Sequence, residues 1–368
     1  MTTLNEVAQH AGVTPATVSN VLRSRGRVGA ATRQRVLDAV SALGYRPHLT
    51  ARALAEGRAP TLALMVSSIA NPFYPEFALA AERAARSSGH FMIVCNTNED
   101  PEVGRAYLEQ IAGTLSEGVL VMNANLHFDD LHKTEQRGAP VVLCMWERPD
   151  QPPDLPCVAV DFRAAGAIAA QHLLDLGHTR IGAIIGSKRG GIHAARQEGF
   201  RDTLRAAGVP HPQSTARFAH DSIRGGYQAA RSLLEAHPQL TAIFASNDLP
   251  ALGAMHAAAD LGLRVPQDLS VVGITDIELA RESRPALSTV AVPTRQAAEM
   301  AVDLLRQLIE RAQRGGTKAG FEAAGKGAAD GGTATMRVTS PPVLMARAST
   351  APPRSSAPAA ANGVEGAI

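Results

Sequence analysis

The segment from Thr3 to Leu22, TLNEVAQHAGVTPATVSNVL, constrains what this chain can fold into more than any other. Thr3 followed by Glu6 is a capping box, in which the hydroxyl and the carboxylate satisfy backbone donors at a helix start, so a helix is predicted from Leu4. Leu4, Val7, Ala8 and Ala11 then fall at i, i+3, i+4 and i+7, one apolar face of a helical period. Gly12 breaks it. Thr14 caps a second helix and Pro15 suits its first turn, where no N–H is needed and the fixed φ is already helical. That helix is predicted to run to about Arg23, with Val18, Val21 and Leu22 turned inward. Pro15, Ala16, Ser19, Asn20 and Arg23 face out, and all but the last are short enough for a helix to approach base edges. A third amphipathic segment carries Val36, Val40 and Leu43 on one face, with Gly44 as a left-handed stop. Three such helices make a core of marginal stability.

Charge points the same way. Residues 1–60 hold eight arginines and no lysine against Glu6, Asp38 and Glu56, a net +5, whereas the whole chain nets only +2 and the remaining residues therefore net −3. A basic patch neutralises phosphates and releases counterions, which makes binding to DNA salt-dependent. Charge alone fits a solvated helical cap equally well. Joined to the capping box and the turn spacing, it favours a DNA-reading unit.

Beyond Gly57-Arg58-Ala59-Pro60 the pattern changes to β-like runs alternating with amphipathic helical runs, the mark of α/β layering. Strands are predicted at Leu62 to Val66, Phe91 to Cys95, Val119 to Met122, Val141 to Met145, Val158 to Val160, Ile181 to Ile185, Ala242 to Ala245 and Ser270 to Ile274. Helices are expected at Glu76 to Ser88, Ala164 to Leu176, Ala194 to Ala207 and Leu249 to Leu261. Roughly 290 residues suit two domains rather than one. Ligands of open parallel sheets bind beyond the carboxyl ends of the strands. Phe73 and Tyr74, Trp146, Arg196, and Asn247 with Asp248 follow such ends, where aromatic rings stack on a sugar or heterocycle and polar groups bond its rim. The plainer alternatives give Phe73 and Trp146 to the core and Asp248 to capping the helix before Leu249.

Other features bound the class. With 45% hydrophobic and 4% aromatic residues the chain is expected to be globular, and it shows neither a signal-like start nor a run of eighteen apolar residues, so a cytoplasmic, nucleoid-associated protein without membrane contact is expected. Cys95, Cys144 and Cys157 are an odd set without C-x-x-C spacing, which fits a reducing compartment and argues against a metal site. His127 and His132 are assigned to the solvated surface. No G-x-G-x-x-G follows a strand, no G-x-S-x-G appears and no acid–base pair is marked by spacing, so no catalytic residue and no cofactor are expected. Gly320 to Lys326 has the spacing of a phosphate-binding loop, but it lacks the Ser or Thr for magnesium and a preceding strand. It lies in a Gly- and Ala-rich insertion, residues 315–332, before a final strand around Thr335 to Met345. From Ala348 onward, Ala, Pro and Ser predict a disordered tail.

The run from Thr3 to Leu54, with LNEVAQHAGVTPATVSNVL, TRQRVLDAVSALGYRP and ARAL, resembles the headpiece of the lac-repressor (LacI) family of bacterial transcription regulators. The likeness continues through NPFY at 71–74, GVLVM at 118–122, RQEGF at 196–200, IFASND at 243–248 and GLRVPQDLSVVG at 262–273. It implies an all-α helix-turn-helix DNA-binding headpiece (1–46), a hinge helix and linker (47–60), and an α/β periplasmic-binding-protein-like body of two parallel-sheet subdomains (61–347), with the insertion at 315–332 and the tail at 348–368. The body binds an effector and dimerises.

The resemblance further implies a homodimer on a pseudo-palindromic double-stranded DNA operator, each recognition helix in a major groove. Pro47 opens the hinge helix and Leu54 matches the leucine that wedges into the minor groove. Pro15, Ala16 and Asn20 match the operator-discriminating positions, Asn pairing with adenine and Pro or Ala touching a thymine methyl. Thr17 and Ser19 go to phosphates, which position without specifying, and Thr14 at the helix start is counted with the DNA-binding residues. Gly29 replaces a frequent capping Ser, which predicts a weaker cap, and the Arg23 to Arg27 segment predicts a stronger phosphate grip.

In the body, Arg196 matches the arginine of R-x-x-G-F, and Thr275 stands where the family commonly has an acidic residue. Gly190 and Asp221 replace an arginine and an aromatic of purine-responsive members. The effector implied is a sugar, a sugar acid or a related polyol, and the function a transcriptional repressor controlled by it. The alternative is a soluble sugar-binding protein without a regulatory role. The tail has no leucine heptads for tetramers, so a dimer is expected. Asn20→Ala is predicted to cost about 1–3 kcal/mol of discrimination at one operator position, read by gel shift over single-base operator variants. An equal loss at every position would contradict that role.

Overall fold

In the computed structural model, which describes residues 2–22, 27–45, 60–122, 125–186, 191–314 and 335–354, the capping box is made. Glu6 N–H donates to Thr3 Oγ1 at 3.3 Å and Thr3 N–H to Glu6 Oε2 at 2.8 Å. Helix α1 (Leu4–Ala11) starts there and stops at Gly12, whose φ of 62° is the left-handed stop. Helix α2 (Pro15–Leu22) and helix α3 (Ala30–Ala42) complete the headpiece. Its core is Val7, Ala8, Ala11, Val18, Val21, Val36 and Ala39. Ala39, rather than Val40, is the fully buried partner of Val36 on α3, and Val40 and Leu43 pack half-buried at its edge. Gly29 gives α3 no side-chain cap, and Gly44 takes a φ of 57°. Expectations on Arg23, Pro47, Leu54, Gly190, the insertion and the chain beyond residue 354 fall outside the described residues.

From Thr61 to the end the chain forms a separate unit. Strands β1 (Thr61–Val66), β2 (Phe91–Asn96), β3 (Gly118–Met122), β4 (Val141–Trp146) and β5 (Cys157–Ala159) alternate with helices α4 (Phe73–Ser87), α5 (Pro101–Ile111) and α6 (Phe128–Gln136). The chain then enters a second half through α7 (Phe162–Asp175), β6 (Ile181–Ile185), α8 (Ile192–Ala206), β7 (Ala216–Phe218), α9 (Ile223–Ala236), β8 (Ala242–Ala245), α10 (Asp248–Asp260), β9 (Ser270–Thr275), α11 (Glu278–Glu282) and β10 (Ser288–Ala291). Helix α12 (Thr294–Arg314) returns to pack on α4 and the first sheet, and β11 (Met336–Val338) and β12 (Val343–Met345) end the fold.

The strand orders are β11-β5-β4-β3-β1-β2 and β12-β10-β9-β8-β6-β7. Every pairing is parallel except β10 with β12. Strands such as β3 and β6 are buried throughout, as parallel strands covered by helices on both faces must be. The eight predicted strands are all present, shifted by at most one residue at either end. Strands β7 and β10 were not among them.

Two expectations are corrected. The single final strand is two: β11 joins β5 in the first sheet and β12 joins β10 in the second. Pro341-Pro342 between them cannot donate to a ladder, which is where the chain changes sheets. The disordered tail does not start at Ala348. Ser349 is fully buried, its hydroxyl donating to Val271 O at 2.6 Å and accepting from Ser288 N–H at 2.8 Å, and Ala351 N–H donates to Ser270 Oγ at 3.0 Å. Small polar residues bury little apolar surface, but here their hydrogen bonds stitch the chain to the second sheet.

Helices α7 and α8 cross backbone against backbone. A Cβ on Gly166 would fall on the Arg196 carbonyl, and one on Gly199 on the Arg163 carbonyl. Both positions need glycine because the partner backbone occupies the space. Gly166→Ala is therefore expected to lower unfolding free energy by about 1–3 kcal/mol, read as a shift of the denaturant midpoint. An unchanged midpoint would contradict so close a crossing.

Candidate functional site

The α7–α8 crossing sets the position of Arg196. The residue is fully buried. Its Nη1 donates to Ser246 O at 2.6 Å, and its guanidinium lies over the Phe162 ring, 4.6 Å from the centroid. A desolvated contact of this kind is worth about 2 kcal/mol. Nε and Nη2 of Arg196 are buried and meet no partner among the described residues. Burial pulls its pKa down to about 10, against the pull of Asp221 and Asp248, so it stays charged at neutral pH.

Around it, loops from the carboxyl ends of β6, β7 and β8 converge. Ser246 Oγ accepts from Gly186 N–H at 2.9 Å and lies 2.9 Å from His193 Nδ1. The other ring nitrogen of His193, Nε2, lies 3.9 Å from Asp221 Oδ2. Burial, with Arg196 adding to it, lowers the His193 pKa to about 3, so the ring is neutral. Asp221 Oδ2 accepts from Asn247 Nδ2 at 3.1 Å and, from the first half of the body, from Asn71 Nδ2 at 2.9 Å. Its other oxygen, Oδ1, is inaccessible and unpartnered among the described residues. Burial raises the Asp221 pKa to about 6, opposed by Arg196.

Two more contacts cross between the halves. Glu278 N–H donates to Glu76 Oε1 at 3.1 Å, and Arg148 Nη2 meets Glu198 Oε2 at 2.5 Å. The site thus lies where the two halves of the body meet, and they touch there through polar groups.

Of the residues singled out by sequence, Arg196 and Asn247 meet here. Asn247 also caps α10, its Oδ1 accepting from Leu249 N–H at 3.2 Å. Asp248 is therefore not the cap. Its carboxylate is saturated by Thr275 Oγ1 and Ile277 N–H, both at 3.1 Å, and by Thr289 Oγ1 at 2.5 Å. Those bonds hold Thr275 at a φ of 135°, an unusual backbone for a β-branched residue. Phe73 is buried in the core, edge-on to Tyr74 at 5.6 Å. Trp146 turns to the outer layer of the first half instead. A register shift after Cys144 aims it at Phe128, and its Nε1 donates to the carbonyls of Arg148 and Gln151. Phe162, His193 and Ser246 were not picked out by sequence. Asp221 was seen only as the loss of an aromatic.

The headpiece presents a face of its own. Thr14, Pro15, Ala16 and Asn20 are exposed, and Thr17 and Ser19 are half-exposed. The Thr14 and Thr17 hydroxyls bond each other at 2.9 Å, and Thr14 Oγ1 accepts from Thr17 N–H at 3.2 Å, which fixes the start of α2. Arg33 Nη1 donates to Val21 O at 3.4 Å, tying α3 to the end of α2.

A carboxyl whose folded pKa lies above its unfolded value stabilises the fold below the unfolded pKa, and that stability is lost as pH rises through the folded pKa. For Asp221 the window runs from 3.8 to about 6. The stability of Asp221→Asn relative to the parent is expected to rise with pH across that window and level off above it, measured by denaturant unfolding. A difference independent of pH would contradict the burial of this carboxylate.

Comparison with known proteins gives two family matches. Residues 3–48 match the model for bacterial regulatory proteins of the lacI family, and residues 59–319 that for periplasmic binding proteins and the sugar binding domain of the LacI family. The chain is 34% identical to HTH-type transcriptional regulator DegA of Bacillus subtilis, over 95% of this chain and 98% of that one. It is 35% identical to the ribose operon repressor of Halalkalibacterium halodurans, over 84% of this chain and 91% of that one. Among solved structures, a transcriptional regulator CelR–cellobiose complex superposes with a TM-score of 0.64 at 30% identity, covering 95% of this chain and all of that one.

Proposed function

The chain belongs to the lacI family of bacterial regulatory proteins, and on that footing we propose that it is a cytoplasmic transcriptional repressor whose grip on an operator is set by a sugar-like effector held between the two halves of its body. The observation that carries this reading is the fully buried Arg196, two of whose nitrogens, Nε and Nη2, meet no hydrogen-bond partner among the described residues. A buried donor without a partner costs about 1–3 kcal/mol, which a ligand oxygen repays. Regulators similar to this chain are named for ribose or solved with cellobiose, and we carry that class of effector to this protein. The cleft binds its effector rather than transforming it.

The headpiece is proposed to read DNA through Pro15, Ala16 and Asn20, with Thr17 and Ser19 at phosphates and Thr14 at the start of the DNA-facing helix. Leu54 is assigned to the minor groove, and the protein acts as a homodimer so that two headpieces meet the halves of a pseudo-palindrome. Effector and operator are linked through the angle between the two halves. Binding shifts that equilibrium only by its difference in affinity for the two states, so induction and co-repression are the same design with opposite sign.

The test is enrichment of operator sequences from random DNA followed by fluorescence anisotropy with and without added sugars. Arg196→Lys keeps the charge but loses the planar fork of donors. It is expected to weaken effector binding by about tenfold or more while the affinity of the effector-free protein for its operator stays within about threefold. Normal effector response in that variant would remove Arg196 from the site.

A further inference from the structure

Among the described residues, two groups without hydrogen-bond partners where the halves meet are of opposite kind. Arg196 offers Nε and Nη2, which only donate, and Asp221 offers Oδ1, which as a carboxylate only accepts. They belong to one chain of contacts, since Arg196 bonds the Ser246 carbonyl, Ser246 Oγ meets His193, and His193 faces Asp221. We propose that this pair selects an uncharged, hydroxyl-bearing sugar and rejects the corresponding sugar acids, with Asp221 as the discriminating residue.

The argument is one of matching donors to acceptors, and it rests on the reading of the cleft as the effector site. A hydroxyl accepts and donates at once, so neighbouring hydroxyls of a sugar ring take hydrogen bonds from Arg196 and return one to Asp221 Oδ1. A carboxylate accepts only. It would satisfy Arg196 but leave Asp221 Oδ1, which is buried, facing another anion, where like charges repel more strongly than in open solvent. Among the described residues His193 is held neutral, and at Asp221 the negative fields of Asp248 and Glu99 stand against the positive ones of Arg196 and His220. Asp221 is also fixed in place, because Asn71 and Asn247 both donate to its Oδ2 and leave Oδ1 as the free atom. Since Asn71 comes from the first half and Asn247 from the second, the carboxylate that reads the ligand also joins the two sides of the cleft. An acid sugar would act against closure as well as against binding.

The experiment is isothermal titration calorimetry of the full chain with D-ribose, D-glucose, D-galactose and cellobiose, each set against its matching aldonic acid. At least one neutral sugar is expected to bind about tenfold or more tightly than its acid, and Asp221→Asn is expected to narrow that ratio to within about threefold. An acid that binds as tightly as its neutral parent overturns the proposal, as does a set in which no neutral sugar binds, or a ratio that Asp221→Asn leaves unchanged. Should the variant melt below the assay temperature, the ratio for the unaltered protein decides alone. A neutral sugar that binds selectively yet leaves operator affinity unchanged contradicts the regulatory reading and leaves this one standing.

Discussion

The body is organised around a guanidinium held out of water. Removing a charge from solvent is costly unless it is paired, and among the described residues Arg196 is met by one carbonyl, an aromatic face and the fields of Asp221 and Asp248. That arrangement is less than full compensation. It persists because α7 and α8 cross at Gly166 and Gly199 so closely that the backbone of each fills the space where the other's side chain would be. The crossing costs two residues of helix propensity and returns a fixed arginine, with Phe162 from the start of α7 beneath it. Stability given up at a site of this kind is recovered when a ligand supplies the missing partners.

A second constraint is the path of the chain. It passes from the first sheet to the second after β5, returns after β10, and crosses again between β11 and β12. Neither half is a continuous stretch of sequence, so the two share connections while keeping separate sheets. The contacts named across the cleft, Asn71 with Asp221, Glu76 with Glu278 and Arg148 with Glu198, are polar. Partly solvated contacts of this type contribute little each. A cleft closed by such groups is one that a small molecule's own hydrogen bonds are large enough to bias.

Much of the fold was legible where local chemistry decides it. The Thr3–Glu6 box, the stop at Gly12 and the alternation of β runs with helical runs are written within a few residues of where they act. What failed to show was set by distant partners. Ser349 reads as part of a disordered tail until Val271 and Ser288 are beside it, and no nearby residue announces either. The three-residue strand β7 is too short for a periodic signal, so the loop after it, with Asp221, could not be placed at the cleft. His193 and Phe162 each looked like ordinary helix residues, because their role depends on which loop lies opposite. Trp146 was misled by its position at a strand end: one register shift turns the ring to the other face. For Asp248 the capping alternative fails, since Asn247 beside it takes the cap.

The central claim is that one small molecule and one DNA site are coupled through this body, and coupling in binding free energy must be reciprocal. The direct measurement is therefore a closed cycle on one preparation: the affinity of the bound sugar for free and for operator-loaded protein, and the affinity of the operator with and without saturating sugar. The account predicts that both ratios depart from one by the same factor. Ratios of one on both arms would contradict it.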